Sequence, residues 1–349
     1  MPQRKPRSGR SITILDVASQ AGVSPMTASR VMNDNPRVGS ELRERVLAAA
    51  KQLSYKPNLA GRSLRSSNSA RIGLLYSNPS AAYLNELMLG VLQESSLNGV
   101  QVLVEKCAGE RSQRIAMKRL LDAGVDGVIL PPPLCDSAKT TQELDAANVS
   151  VVALGTGAPQ PEVTSVRIDD YHGARAMTQY LLALGHRQIG FITGDPTHTP
   201  AAVRNRAFFD VMSEAGIEVP ASHVAVGLFT YRSGMTAART LLENAPELTA
   251  IFSSNDDMAA AAVAVAHGMG LQVPDDITIT GFDDTPVATT IWPTLTTIHQ
   301  PITAMGRSAV RLMLEEIRRH QSGQPKSHRH QIMKYTLVKR ESAGTPSKR

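Results

Sequence analysis

From residue 71 onward the chain repeats one pattern, a short apolar run followed by an amphipathic stretch with helical spacing. The runs are RIGLLY, VQVLVE, DGVIL, VSVVAL, QIGFIT, HVAVGLF, TAIFSS and ITITGF, and LNELMLGVLQESSLNG and GARAMTQYLLALGH are two of the stretches between them. Neighbouring parallel strands need a crossover of a dozen or more residues, usually a helix, so this alternation predicts parallel sheets covered by helices. The length suits two sheets better than one of ten strands. The expected lobes are about 70–167 and 168–299. The helix in ITAMGRSAVRLMLEEIRRH, within 300–325, returns to the first lobe, 326–341 returns to the second, and 342–349 forms a disordered tail.

In open α/β sheets, ligands sit beyond the carboxyl ends of the strands. Those ends carry Tyr76, Ser77 and Asn78, then Gly194 and Asp195, then Asn255 and Asp256, then Asp283 and Asp284. Hydroxyl, amide and carboxylate groups converging on one crevice suit a small polar ligand such as a sugar. Asp-Asp pairs also cap helices and turns, so each carboxylate has a structural reading beside the ligand one.

The first 70 residues follow a different pattern. Val17, Ala18, Ala21, Val23, Ala28 and Val31 recur at helical spacing around Gly22, which permits a tight turn. Thr13 with Asp16 reads as a capping box, and Ser24 caps a second helix with Pro25 at its first position. A third helix starts near Gly39–Ser40, with Leu42, Val46, Leu47 and Leu53 expected on its inner side. Turning the apolar face inward leaves Pro25, Met26, Thr27, Ser29 and Arg30 on or near the outer face, the face that a helix-turn-helix places in the DNA major groove. Arg30 can donate two hydrogen bonds to a guanine edge and Met26 can contact a thymine methyl. A three-helix protein-contact module with an ordinary solvated face is the alternative.

Charge distribution favours the DNA reading. The net charge is +6, and Asp16, Asp34, Glu41 and Glu44 are the only carboxylates before Ser80, where Lys and Arg far outnumber them. Beyond Ser80, carboxylates slightly outnumber Lys plus Arg. A basic head on a near-neutral body is the footprint of a polyanion partner.

The stretch ITILDVASQAGVSPMTASRVMNDNPRVGSELRERVLAAAKQLSYKPNLAGRSLRS resembles the headpiece of the LacI/GalR family of bacterial transcription regulators, nearly position by position. The resemblance implies base reading by Pro25, Met26 and Arg30, within a DNA-contacting set of Thr13, Ser24, Thr27, Ser29, Asn33, Tyr55, Asn58, Arg62 and Leu64. NLAGRSLR matches the family's hinge helix, in which Leu64 would wedge into the minor groove. Eight residues are too short to hold a helix alone, and an apolar wedge works when paired across a bent site. Gly61, where the family usually has alanine, should weaken that helix by about 0.5–1 kcal/mol. The expected layout is a headpiece at 1–57, with a basic disordered arm at 1–11, a hinge at 58–69 and an effector and dimerisation domain at 70–341.

IDDYHGARAMTQYLLALGHRQIGFITGD, FSSNDDMAAAAVAVAHGMGLQVPDDITITGFDDT and PTLTTIHQPITAMGRSAV resemble the family's effector-binding core. The implied fold class is an N-terminal all-α helix-turn-helix headpiece followed by an α/β, two-lobed, periplasmic-binding-protein-like effector domain. The implied effector contacts are Arg204, Asn255, Asp283 and a stacking Phe229, with Tyr76, Asn78 and Tyr83 completing the set. Ala207 stands where the family has glycine.

The function expected on this basis is a dimeric repressor of a carbohydrate operon. It would bind double-stranded DNA at a palindromic operator under control of a small sugar-like effector. A nucleobase or a sugar acid remains open as effector. A transport-class solute-binding protein is the rival from another class, but it has no use for a helix-turn-helix. Cys107 and Cys135 lack metal-ligand spacing and read as reduced and structural. No nucleotide-binding loop, G-x-S-x-G motif or acid/base carboxylate pair occurs, so neither an enzyme nor a cofactor is expected. His186 reads as a capping or packing residue, and His299 as a hydrogen-bonding group. No apolar run reaches membrane-span length and no signal peptide is evident, so the expected location is the cytoplasm. The ending ESAGTPSKR lacks leucine heptads that would build a tetramer.

Overall fold

The protein is described here by a computed structural model covering residues 14–32, 39–53 and 70–347. It divides into two units, Met1–Ser69 and Ala70–Arg349. In the first, α1 (Ile14–Ala21), α2 (Pro25–Met32) and α3 (Ser40–Gln52) share a core of Val17, Ala18, Ala21, Ala28, Val31, Val46, Ala49 and Ala50. Small side chains allow helices this short to approach closely. Arg45 Nη2 donates to the Ala21 carbonyl at the end of α1, 2.8 Å away. One expectation for α3 fails. Leu42 and Leu47 are exposed, because Val46, Ala49, Ala50 and Leu53 form the i, i+3, i+4, i+7 stripe that faces α1 and α2.

The second unit begins with β1 (Arg71–Tyr76), α4 (Ala81–Asn98), β2 (Gln101–Lys106), α5 (Glu110–Asp122), β3 (Gly127–Leu130), α6 (Ala138–Ala146), β4 (Ser150–Leu154) and β5 (Thr164–Ile168). It continues through α7 (Asp170–Ala183), β6 (Ile189–Thr193), α8 (Thr199–Glu214), β7 (Val224–Val226), α9 (Tyr231–Asn244), β8 (Ala250–Ser253), α10 (Asp256–Gly268), β9 (Thr278–Thr280) and α11 (Val287–Thr290). The last elements are β10 (Thr297–His299), α12 (Ile302–Gln321), β11 (His330–Met333) and β12 (Thr336–Val338).

The first lobe is a parallel sheet in the order β11-β5-β4-β3-β1-β2, and the second a parallel sheet in the order β7-β6-β8-β9. Fully buried strands explain the near-continuous apolar runs, such as GVIL and AIFS. β5, in TSVRI, escaped the sequence reading because it mixes polar residues into a short strand. α12 packs on α4 and on β3, β4 and β5. A Cβ at Gly90 would collide with the Thr303 carbonyl and one at Gly306 with the Leu87 carbonyl, so this helix pair requires glycine at both points. In the second lobe, Phe191 stacks on Phe208 with centroids 4.6 Å apart.

Two boundary expectations are corrected. β11 pairs with β5 in the first sheet, whereas 326–341 was assigned whole to the second lobe. The chain crosses over only between Met333 and Thr336, after which β12 pairs antiparallel with β10. Nor are residues 342–347 a loose tail. Ser342 is fully buried, its Oγ donating to the Ile279 carbonyl at 2.6 Å and accepting the Thr296 N–H at 2.9 Å. Buried His186 joins Thr249 Oγ1 and the Gly344 carbonyl, each at 2.9 Å.

Candidate functional site

In the first unit, Ser24 Oγ accepts the Thr27 N–H at 3.1 Å and lies 2.9 Å from Thr27 Oγ1. This bond satisfies a free amide at the start of α2. Ala28 and Val31 turn one side of α2 into the core, while Ser24 and Pro25 are exposed and Thr27 is half-buried. The same helix carries Met26, Ser29 and Arg30. Thr13, Asn33, Tyr55, Asn58, Arg62 and Leu64 lie outside the described residues.

In the second unit, a cavity between the lobes is lined by Asn78, Ser80, Tyr83, Pro132, Gly155, Asp170, His198, Pro200, Arg204, Phe229, Asn255, Asp283 and Gln300. Most of these positions follow the carboxyl end of a strand, as expected for parallel sheets. Of the residues singled out from sequence, Asn78, Tyr83, Arg204, Phe229, Asn255 and Asp283 come together here. Tyr76 does not line the cavity. It ends β1, where its carbonyl accepts the Cys107 N–H at 2.9 Å.

Arg204 organises the floor. Its Nε and Nη2 both reach Asp170 Oδ1, at 2.8 and 2.7 Å, and Nη1 donates to the Ser254 carbonyl at 2.6 Å. Nη1 also faces Asp283 Oδ1 at 3.6 Å, and the guanidinium lies 3.6 Å over the Phe282 ring. Gln300 Nε2 donates to Asp283 Oδ1 at 2.6 Å. Asp283 is almost fully buried. Burial pushes its carboxyl up to about 7, against the opposing pull of Arg204 and the Gln300 amide. Burial likewise raises Asp170, although Arg204 opposes the shift.

Asn255 has structural work as well. Its Oδ1 caps α10 through the Met258 N–H at 3.0 Å, and its Nδ2 donates to the Phe229 carbonyl at 3.2 Å. That second bond holds Phe229 at φ 58, a left-handed backbone that a bulky residue rarely adopts. The ring then lies so close to Gly194 that any Cβ there would strike it. His198 faces Phe229 with centroids 5.2 Å apart. The other strand-end carboxylates have partners elsewhere. Asp195 accepts from Thr197, Asp256 from Thr285 and Thr297, and Asp284 pairs with His299 and Arg340.

The sequence reading missed Ser80, Pro132, Gly155, Asp170, His198, Pro200 and Gln300. Asp170 follows β5, the strand that the apolar pattern does not mark, and Gly155 follows β4. Gln300 and His198 sit in HQP and PTHTP, which carry no signal until the lobes are placed.

The lobes are bonded across the cavity mouth. Ser80 Oγ donates to Asp257 Oδ2 at 2.7 Å. Thr199 Oγ1 donates to Asp136 Oδ2 and accepts the Gly157 N–H, both at 2.8 Å, and Asp136 Oδ1 accepts from Thr156 at 2.6 Å. The cavity encloses about 40 Å³, far below the roughly 300–1,000 Å³ of ordinary ligand clefts, so admitting a sugar-sized molecule requires the lobes to part. A larger groove of about 580 Å³ lies by Ser150 and Thr164, at the opposite, amino ends of β4 and β5. It lacks the convergence of strand ends seen between the lobes. Among the described residues, no cluster suited to a metal occurs and no helix is long and apolar enough to cross a membrane.

Comparison with known proteins covers both units. Residues 13–58 match bacterial regulatory proteins of the lacI family, and residues 178–343 match the periplasmic binding protein-like domain. The transcriptional regulator CelR of Thermobifida fusca is 35% identical over 316 residues, covering 88% of this chain and 92% of its own. The transcriptional repressor PurR of Escherichia coli O1:K1 / APEC is 33% identical over 312 residues, 87% of this chain and 90% of its own. Among solved structures, a CelR–cellobiose complex superposes with a TM-score of 0.72 at 32% identity, covering 95% of this chain and all of the other. The lac repressor dimer bound to operator and the anti-inducer ONPF gives 0.77 at 28% identity, covering 95% and 99%. With a helix-turn-helix unit, a two-lobed α/β unit and these relatives along nearly its whole length, the chain belongs to the LacI family of bacterial regulatory proteins.

Proposed function

We propose that this protein is a transcriptional repressor that binds a palindromic operator as a dimer and is controlled by a small carbohydrate held between its lobes. The observation carrying this reading is that one chain holds both a capped second helix, exposed at Ser24 and Pro25, and a polar cavity at converging strand ends. Two α2 helices would enter successive major grooves about 34 Å apart, with Arg30 as the guanine reader. Closure of the lobes on the effector sets the spacing of the two heads. CelR is known in complex with cellobiose, and this supports a sugar here.

Dimerisation belongs to the same reading. Leu89, Leu92 and Leu97 on α4, and Val226, Leu228, Tyr231 and Met235 around the start of α9, are large apolar side chains left exposed. A nucleobase effector is the second reading, favoured by the neighbouring Phe229 and His198 rings in the cavity lining. The test is fluorescence anisotropy on an inverted-repeat operator, with and without cellobiose, other sugars and hypoxanthine. Wild-type protein should release or tighten on DNA with one of the sugars, and Arg30→Ala should lose about 1–3 kcal/mol of specific over non-specific binding. Equal affinity for operator and random DNA in the wild type refutes the reading.

A further inference from the structure

The cavity's charges and unused hydrogen-bonding groups narrow the effector class, resting on the carbohydrate reading above. Among the described residues Arg204 is the one Lys or Arg lining it, and that guanidinium already faces two carboxylates, Asp170 and Asp283, and a carbonyl. Asp136, Asp256 and Asp257 lie just behind the lining or at its mouth. None of the described lining residues leaves a positive charge over for an incoming anion, and Arg167, whose charge Asp170 feels, does not line the cavity. A phosphate or carboxylate would enter a low-dielectric space with acidic walls and no free cation to pair with, which is strongly unfavourable.

The unused valences point the same way. Asp170 and Asp283 each direct one oxygen to Arg204 or Gln300, and the second oxygen of each has no donor among the described residues. A hydroxyl satisfies such an oxygen whether the carboxyl is ionised or holds a proton, because a hydroxyl can both donate and accept. Two further buried polar side chains make no hydrogen bond among the described residues: the Tyr83 phenol, 6% exposed, from the first lobe, and the His198 imidazole, 4% exposed, from the second. Burial holds both in their neutral forms at neutral pH, and each can donate or accept.

We propose that the cleft selects an uncharged polyhydroxyl ligand over its phosphorylated and acid forms, and that His198, with Tyr83 facing it across the lobes, binds that ligand directly. Ligand hydroxyls bond to the free oxygens of Asp170 and Asp283. His198 and Tyr83 take hydroxyls from the two sides, so the bound molecule itself bridges the lobes.

The test is calorimetric titration of the full chain with glucose, galactose, maltose and cellobiose, each beside its 6-phosphate and its aldonic acid, and with hypoxanthine. One neutral sugar should bind, with its phosphate and acid forms roughly 100-fold weaker or more. A charged form binding as tightly as its neutral parent overturns this proposal and leaves the carbohydrate reading standing. Binding of hypoxanthine alone, or of no sugar, overturns both. For the contacts, His198→Ala and Tyr83→Phe should each weaken the bound sugar about tenfold or more. Tyr83→Phe removes one oxygen and keeps the ring, so unchanged sugar affinity in that variant and in His198→Ala discards the contact assignment.

Discussion

Asp283 combines a strained backbone, at φ 111, with a carboxyl buried among Arg204, Gln300, Asp170, Asp256, Asp257 and Tyr83. Its folded value of about 7 lies above the ordinary 3.8, so the folded protein holds a proton that the unfolded chain releases. The stability this contributes is fully present below about pH 4 and is lost as pH rises through 7. Asp283→Asn keeps the shape and removes the titration. It should therefore raise the stability at pH 8, by on the order of a few kcal/mol, seen as a higher melting temperature, and change it little at pH 4. Thermal denaturation at the two pH values checks this, and an equal shift at both refutes the burial argument. The same variant should bind operator normally and lose its effector response. Function here works against stability, as is common where a site needs buried charge.

At the scale of elements, small polar caps hold more than their exposure indicates. Ser24→Ala frees the Thr27 amide at the start of α2 and should cost about 1 kcal/mol, read as a lower melting point of the headpiece and a weaker operator complex. The carboxyl-terminal strap gives a larger effect. Deleting residues 342–349 strips the Ile279 carbonyl and the Thr296 N–H of their shared buried partner and unpairs His186 from Gly344. A loss of roughly 2 kcal/mol or more follows, visible by urea denaturation. A truncated chain as stable as the full one would show that these bonds are replaced by water at no cost.

For the whole second unit, the controlling variable is the angle between two sheets joined by three crossings, after β5, after β10 and between β11 and β12. Thr199 ties the lobes through Asp136 and Gly157. Thr199→Val keeps the volume and removes both bonds, weakening the closed arrangement by about 1–3 kcal/mol. Effector association measured by stopped flow should accelerate, because the closed cavity of about 40 Å³ is too small to admit a sugar. An unchanged association rate would mean that opening is governed elsewhere.

Periodicity alone determined the class of fold. Period-3.6 apolar stripes around Gly22 specify three small helices, and apolar runs alternating with amphipathic segments specify buried parallel sheets, because backbone groups must pair wherever water is excluded. Strand-end chemistry also made Asn78, Asn255 and Asp283 legible, and a motif match did so for Arg204 and Phe229. The tertiary structure decided what depends on contacts between distant segments. Asp170, His198 and Gln300 have unremarkable neighbours in sequence, and only the packing of distant segments turns them toward Arg204, Phe229 and Asp283. Ser342 and β11 make the same point: a polar serine carries no mark of its burial and a short four-residue strand none of its pairing, since their partners, Ile279 and β5, lie 63 residues or more away along the chain.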